Sequence, residues 1–197
     1  PEKIKPHMDS GAKSIVLSAP FKDEAAGSTY VLGVNLDQAN FENLENVISN
    51  ASCTTNCIAP VAAIMEGSFG IEKAMMTTIH SYTSDQRLQD GGHKDYRSAR
   101  AAAQNIIPTS TGAAIAAAKT IPALEGIFNG IAIRVPTVTG SLSDFTFLLK
   151  KETTVEEVNT VLKQAADSAR FKGIVRATTD PIVSSDIIGD SHSSIVD

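Results

Sequence analysis

Cys53 and Cys57 stand four residues apart in Ser49-Asn50-Ala51-Ser52-Cys53-Thr54-Thr55-Asn56-Cys57, and they are the chain's two cysteines. If a helix starts after Ser52, Cys53 lies in its first turn. There it meets free backbone N–H groups and the positive end of the helix dipole. Both favour thiolate over thiol, and the thiolate is the nucleophile. Ser52, Thr54 and Thr55 surround it with small hydroxyls suited to an anion or a substrate oxygen. Cys57 falls one turn deeper, among Ile58, Ala59 and Val61, where burial makes a thiol less reactive. The plainer alternative is that Cys53 only packs. A metal site on the two cysteines is weaker, because the chain has no second Cys pair. Its four histidines, His7, His80, His93 and His192, form no ligand pattern.

A thiolate catalyst usually needs a base. His80 closes an apolar run and opens a polar stretch, a place from which a side chain reaches a site; a structural hydrogen-bonder is the alternative. Thr109-Ser110-Thr111-Gly112 is a second helix start able to hold an anion on its N–H groups, or an ordinary cap. Arg134 interrupts the apolar run Gly130-Ile131-Ala132-Ile133-Arg134-Val135. A charge there needs a partner, either a carboxylate or a phosphate group of a ligand.

The elements that must hold these residues follow from periodicity and punctuation. Residues 14–18 read as a buried strand stopped by Pro20, 31–34 as another strand, 36–44 as a weak helix or turn, and 47–49 as a short buried strand. A helix is expected from Cys53 to about Ser68, capped by Ser52 and closed by Gly70, with a kink or boundary at Pro60. Residues 71–80 read as a strand, 81–105 as a long ordered loop, 113–119 as a helix, and 127–135 and 143–149 as strands. Thr154-Val155-Glu156-Glu157 is a capping box that opens the clearest helix, 154–169. Short strands are expected at 174–175 and 181–184.

The chain has 197 residues with 42% apolar and 20% charged residues, enough for a packed core and too apolar for global disorder. The net charge of −5 and a pI near 5.4 argue against nucleic acid as a partner. No apolar run approaches the roughly 18 residues of a membrane span. Residues 1–6 carry no signal-peptide stretch, so a reducing, cytoplasmic setting is the expectation.

Six segments then combine. They are Ser-Cys-Thr-Thr-Asn-Cys at 52–57, Thr-Thr-Ile-His-Ser-Tyr-Thr at 77–83, Arg-Ala-Ala-Ala-Gln-Asn-Ile-Ile-Pro at 100–108, Ser-Thr-Gly-Ala-Ala at 110–114, Arg-Val-Pro-Thr at 134–137 and Asp-Ser-His-Ser-Ser at 190–194. In order and spacing they resemble the bacterial-type phosphorylating glyceraldehyde-3-phosphate dehydrogenases. The resemblance implies an α+β catalytic domain over 53–197, a mixed, largely antiparallel sheet with helices on one face. Residues 1–52 would be the C-terminal end of an α/β dinucleotide-binding domain.

By that resemblance Cys53 attacks the aldehyde of glyceraldehyde 3-phosphate, and a hydride passes to NAD, with NADP not excluded. Inorganic phosphate then releases 1,3-bisphosphoglycerate from the thioacyl-enzyme. His80 activates Cys53, takes the hydroxyl proton and, with the Cys53 N–H, donates to the oxyanion. Thr83 and Arg134 match the substrate-phosphate site. Ser52, Thr54, Thr111 and Gly112 match the attacking-phosphate site, with Arg134 reaching both. The loop from Ser81 to about Asn105 matches an S-shaped loop at a subunit interface near the cofactor, and a homotetramer is implied.

Departures are visible. Arg97-Ser98 stands where many bacterial members carry two arginines, which would weaken a phosphate contact. Val138-Thr139-Gly140-Ser141 replaces the usual Pro-Asn-Val-Ser. No two glycines are spaced Gly-x-Gly, so the dinucleotide fingerprint is absent, and cofactor-binding residues cannot be assigned. The family's closing strand and helix are also absent, so the chain reads as a fragment. It is expected to bind NAD poorly, to show little activity alone, and to expose apolar surface that favours association. The alternatives are erythrose-4-phosphate dehydrogenase, a non-catalytic assembly module that keeps the motif, and a thiol hydrolase.

Overall fold

The computed structural model describes residues 3–21, 27–39 and 46–197. A short helix α1 (Lys5–Asp9) leads to β1 (Ile15–Leu17), which pairs in parallel with β2 (Val47–Ser49). Helix α2 (Cys53–Phe69) follows, then the long strand β3 (Ile71–Ser81). After the loop come β4 (Ile107–Ser110), α3 (Ala113–Thr120), β5 (Phe128–Val135) and β6 (Ser141–Leu149). The chain ends with α4 (Val155–Asp167) and a parallel pair, β7 (Val175–Ala177) and β8 (Ser194–Val196).

The main sheet has the order β4-β5-β3-β6. β3 pairs parallel with β5 and antiparallel with β6, and β4 pairs antiparallel with β5. It is therefore mixed and mostly antiparallel, and the α+β expectation holds. Period-2 alternation sorts its two faces. Ala74, Met76 and Phe128 face α2 and α3, joining Ile58, Ala59, Ala62, Met65, Ala114 and Ala117 in one core. Phe145 and Phe147 flank that core, their rings stacked 5.2 Å apart. Met75, Ile131, Leu142 and Leu148 line the other face and are exposed. Strands β3 and β5 approach closely at Gly130, where a Cβ would come within 2.7 Å of the Met76 carbonyl oxygen.

Several expected elements change. Helix α2 runs unbroken through Pro60, which is fully buried. The helix forgoes one backbone bond there, and burial of Ile58, Ala59, Val61 and Ala62 around it outweighs the loss. The strand expected at 31–34 is a turn. Gly33 has φ +74°, and the Asn35 side chain accepts from Val31 N and donates to Thr29 O. Arg170 ties this turn to the region after α4 by donating to the carbonyls of Gly33 and Val34. The strand expected at 181–184 is irregular, because Asp186 takes the Val183 N–H and Pro181 has none to give. β1 is not a buried strand: Val16 is 64% exposed. Of the helix or turn expected over 36–44, a 3₁₀ turn at Leu36–Gln38 forms, and residues 40–44 lie outside the described residues.

Candidate active site

The site begins at the start of α2. β2 ends at Ser49, whose buried Oγ donates to the Ala19 carbonyl and accepts from Ala51 N. That clamp holds Ala51 at φ 56°, a left-handed conformation costly for a residue with a Cβ. The chain then turns sharply into the helix. Ser52 caps it, its Oγ accepting from Thr55 N at 3.0 Å and lying 2.8 Å from Thr55 Oγ1. Asn56 donates to the carbonyls of Asn50 and Ser52 and fastens the same turn. Cys53 is thereby presented at the first helical position, and its side chain is exposed.

The Cys53 Sγ lies 3.6 Å from His80 Nε2. His80 sits one residue before the end of β3 and is buried. The hydrogen bond from His80 lowers the Cys53 thiol from the ordinary thiol range to about 7. Burial opposes this, and the Thr54 hydroxyl and backbone N–H assist it. Cys57 behaves oppositely: burial pushes its thiol up, against a hydrogen bond with Ser194 of β8. One helix thus carries, one turn apart, a thiol whose pKa is lowered and a thiol whose pKa is raised.

Parallel pairing of β3 with β5 sets His80 beside Arg134. Arg134 Nη1 is 2.9 Å from both His80 Nδ1 and the Ser81 carbonyl. His80 Nδ1 is itself 2.7 Å from that carbonyl. Burial lowers the Arg134 pKa, while the charges of Cys53 and Asp85 oppose the shift. Within the chain, Arg134 contacts an imidazole and a backbone carbonyl, and among the described residues it is hydrogen-bonded to no carboxylate.

The remaining candidates sit apart. Thr83 N donates to Gln86 Oε1. Thr111 Oγ1 accepts from Ala113 N at the start of α3, where Gly112 is the N-cap and makes no side-chain cap. Among the described residues, no hydrogen bond joins Thr83, Thr111 or Gly112 to Cys53, His80 or Arg134. Residues 82–106 form the expected ordered loop, fastened from within. Asp90 accepts from Arg100 Nε and Ala101 N. Asp95 accepts from Ser98 Oγ at 2.7 Å. Ser98, read as a weakened phosphate contact, is buried and serves as a loop staple. In the last segment, Asp190 accepts from the His192 backbone N–H and contacts His192 Nδ1 and Arg176 Nη1, which in that order bring its carboxyl down to about 2. Sequence reasoning missed the Ser49–Ala51 clamp, the Ser81 carbonyl and Ser194. Ser81 acts through its backbone carbonyl, which leaves no side-chain signature, and the two serines act through contacts that only the fold creates.

Known proteins supply the context for this arrangement. Residues 52–197 match the family described as glyceraldehyde 3-phosphate dehydrogenase, C-terminal domain. The glyceraldehyde-3-phosphate dehydrogenase of Mycobacterium avium is 54% identical over 195 residues, covering 99% of this chain and 56% of that protein. The enzyme of the same name from Streptomyces coelicolor is 54% identical over 191 residues, covering 97% of this chain and 56% of its own length. The chain thus spans little more than half the length of these relatives. With a match of that reach carrying the thiol, the imidazole and the guanidinium in their observed contacts, the chain belongs to the glyceraldehyde-3-phosphate dehydrogenase family.

Proposed function

We propose that the protein oxidises glyceraldehyde 3-phosphate to 1,3-bisphosphoglycerate through a thioester on Cys53, a step of glycolysis and gluconeogenesis. The observation that carries this reading is the Cys53–His80 pair at a capped helix start, with Arg134 beside it. The Cys53 thiolate adds to the aldehyde carbon, and the resulting alkoxide becomes a hydroxyl by taking a proton from the His80 imidazolium at Nε2, which leaves the ring neutral. Nε2 of His80 takes that hydroxyl proton as the carbon is oxidised to the thioester. Earlier, the imidazole N–H and the Cys53 N–H stabilise the oxyanion. Phosphate then attacks the thioester carbon, forming the C–O bond of the acyl phosphate, and the thiolate leaves.

Thr83 and Arg134 would hold the substrate phosphate. Ser52, Thr54, Thr111 and Gly112 would hold the attacking phosphate, with Arg134 within reach of both. A nicotinamide cofactor, NAD or NADP, would supply the hydride acceptor. The described residues make up no dinucleotide site: they hold no Gly-x-Gly loop, and β1 and β2 are only a two-stranded parallel pair. No step is therefore derived through the cofactor. A parallel pair with an exposed face is unusual, since parallel sheets ordinarily have both faces covered. That supports assigning residues 1–52 to a larger dinucleotide-binding domain and 53–197 to the catalytic domain.

The exposed Met75, Ile131, Leu142 and Leu148 on one sheet face support a homo-oligomer, with a tetramer as the family form. Among the described residues no helix is long and apolar enough to cross a membrane. A cytoplasmic location accords with two free thiols.

The test is aldehyde-dependent reduction of NAD by the intact protein in the presence of phosphate, with Cys53→Ser as control. Phosphate-dependent turnover by the native protein alone supports the proposal. Equal turnover by the variant refutes it. Erythrose 4-phosphate, offered in parallel, should be the poorer substrate.

A further inference from the structure

The turn that delivers Cys53 rests on one hydroxyl. Among the described residues Ala51 is the only non-glycine with a left-handed backbone, at φ 56°. Glycine visits that region freely, and Asn or Asp do so by bonding their own backbone; alanine has neither means. Such a conformation persists only where its surroundings over-determine it. Here the determinant is Ser49. Its Oγ accepts from Ala51 N at 2.9 Å and donates to the Ala19 carbonyl at 2.8 Å, so both sides of the hydroxyl are committed. Ser49 is fully buried, and its backbone is fixed as well: its N–H donates to Ser28 O, and its carbonyl accepts from Tyr30 N. Rotation of the hydroxyl would leave the Ala51 N–H unpaired in a buried place.

The strained residue stands where it can aim the helix. Ser52 follows in extended conformation, φ −98° and ψ 164°, and Cys53 opens α2 one residue later. A left-handed residue between β2 and this extended cap sets the heading of the helix start. With it goes the 3.6 Å separation of Cys53 Sγ from His80 Nε2. A glycine at 51 would adopt φ 56° unaided. Alanine does not, so the turn keeps its shape only while Ser49 holds it.

We propose that Ser49 is a positioning residue for Cys53: its hydroxyl holds Ala51 in the left-handed conformation, and that conformation aims the thiol at His80. Among the described residues Ser49 makes no hydrogen bond to Cys53, His80 or Arg134, so it acts through the backbone alone. The same hydroxyl is anchored on Ala19, thirty residues earlier, and the placement of the thiol therefore depends on the segment after β1 as well as on α2. The proposal rests on Cys53 as the nucleophile of the function assigned above and adds what keeps it in line.

The test compares the full chain in three forms: native, Ser49→Ala, and Ser49→Ala combined with Ala51→Gly. Cys53 is labelled with iodoacetamide across pH 5 to 9 and read by mass spectrometry, with no aldehyde or cofactor added. His80 and Arg134, which face the thiol from β3 and β5, and Cys57 on its own helix are unchanged in all three forms. The native transition should lie at about pH 7. Ser49→Ala releases Ala51 to negative φ, so the transition should move toward the free-thiol value of about 8.5. The double variant should bring it back toward the native position, because glycine keeps the left-handed turn while Asn56 still fastens Asn50 and Ser52. A serine with only a structural role would lower the unfolding midpoint and leave the transition in place.

An unmoved transition in Ser49→Ala, or a double variant no nearer the native value than Ser49→Ala, would overturn the proposal. Where Ser49→Ala does not fold, the double variant decides. A folded double variant with a near-native transition upholds the proposal, and one that is unfolded or titrates as a free thiol overturns it. If the transitions move as expected but the native protein oxidises no aldehyde, this inference stands and the assigned activity falls. If Ser49→Ala oxidises aldehyde as the native protein does, the activity stands and this inference falls.

Discussion

The starts of α2 and α3 are built differently. α2 has a side-chain cap in Ser52, a clamp behind it at Ser49, and Cys53 set against the Thr54 N–H. The anion this end stabilises is its own thiolate. α3 starts at Gly112 with no side-chain cap, and only Ala113 N is satisfied, by Thr111. The N–H groups of Ala114 and Ile115 have no partner among the described residues. Gly112 has open space where a Cβ would be. One helix end is closed around a nucleophile and the other is left open. In the proposed function the first does the covalent chemistry and the second receives the phosphate that completes it.

The division can be broken at several points. His80→Asn removes the base and the strongest influence on the Cys53 thiol. It should lower kcat by about 10²–10⁴-fold and leave the KM for phosphate unchanged in steady-state kinetics. A matching rise in KM would mean that the two ends are not separate. Thr111→Val acts at the other end. It should raise the KM for inorganic phosphate about tenfold to a hundredfold, the range of one charge-assisted hydrogen bond. The alkylation rate of Cys53 should not move, and any change there would erase the distinction.

Ser52→Ala opens the cap of α2. It should cost about 1–2 kcal/mol in denaturant unfolding and displace the Cys53 thiol upward in a pH titration of its reactivity. Thr154→Ala removes the capping box of α4, a surface helix whose Thr154 and Glu157 bond each other's backbone N–H. It should cost about 0.5–1 kcal/mol and leave the Cys53 reactivity where it was. Comparing these two caps separates helix stability from tuning of the nucleophile.

Much of this was legible in sequence because it is local. The Ser52 cap, the capping box at Thr154 and the periodicities of β3, β5 and β6 are short-range patterns. Cys53 and His80 were legible as a candidate pair because residue type and a helix start suffice to suggest them, and the fold sets them 3.6 Å apart. Pro60 misled because tertiary burial overrode a local rule. Val31-Leu32-Gly33-Val34 misled because Gly33 and Asn35 make a turn that a β-branched run conceals. The partner of Arg134 depends on parallel register between β3 and β5, strands separated by more than 40 residues, and no local pattern encodes that register. The open start of α3 was visible as Thr-Gly, but its lack of a side-chain cap was not.

The central claim is that His80 and the start of α2 make Cys53 a thiolate near neutral pH while Cys57 stays a thiol. The direct measurement is iodoacetamide labelling of the two cysteines across pH 5 to 9, followed by mass spectrometry, in native protein and in His80→Asn. Labelling of Cys53 should rise through pH of about 7, the value to which its thiol is lowered, and Cys57 should remain unlabelled over that range. In His80→Asn the Cys53 transition should move toward the free-thiol value of about 8.5. Equal labelling of both cysteines, or a Cys53 transition unchanged by loss of His80, would contradict the account.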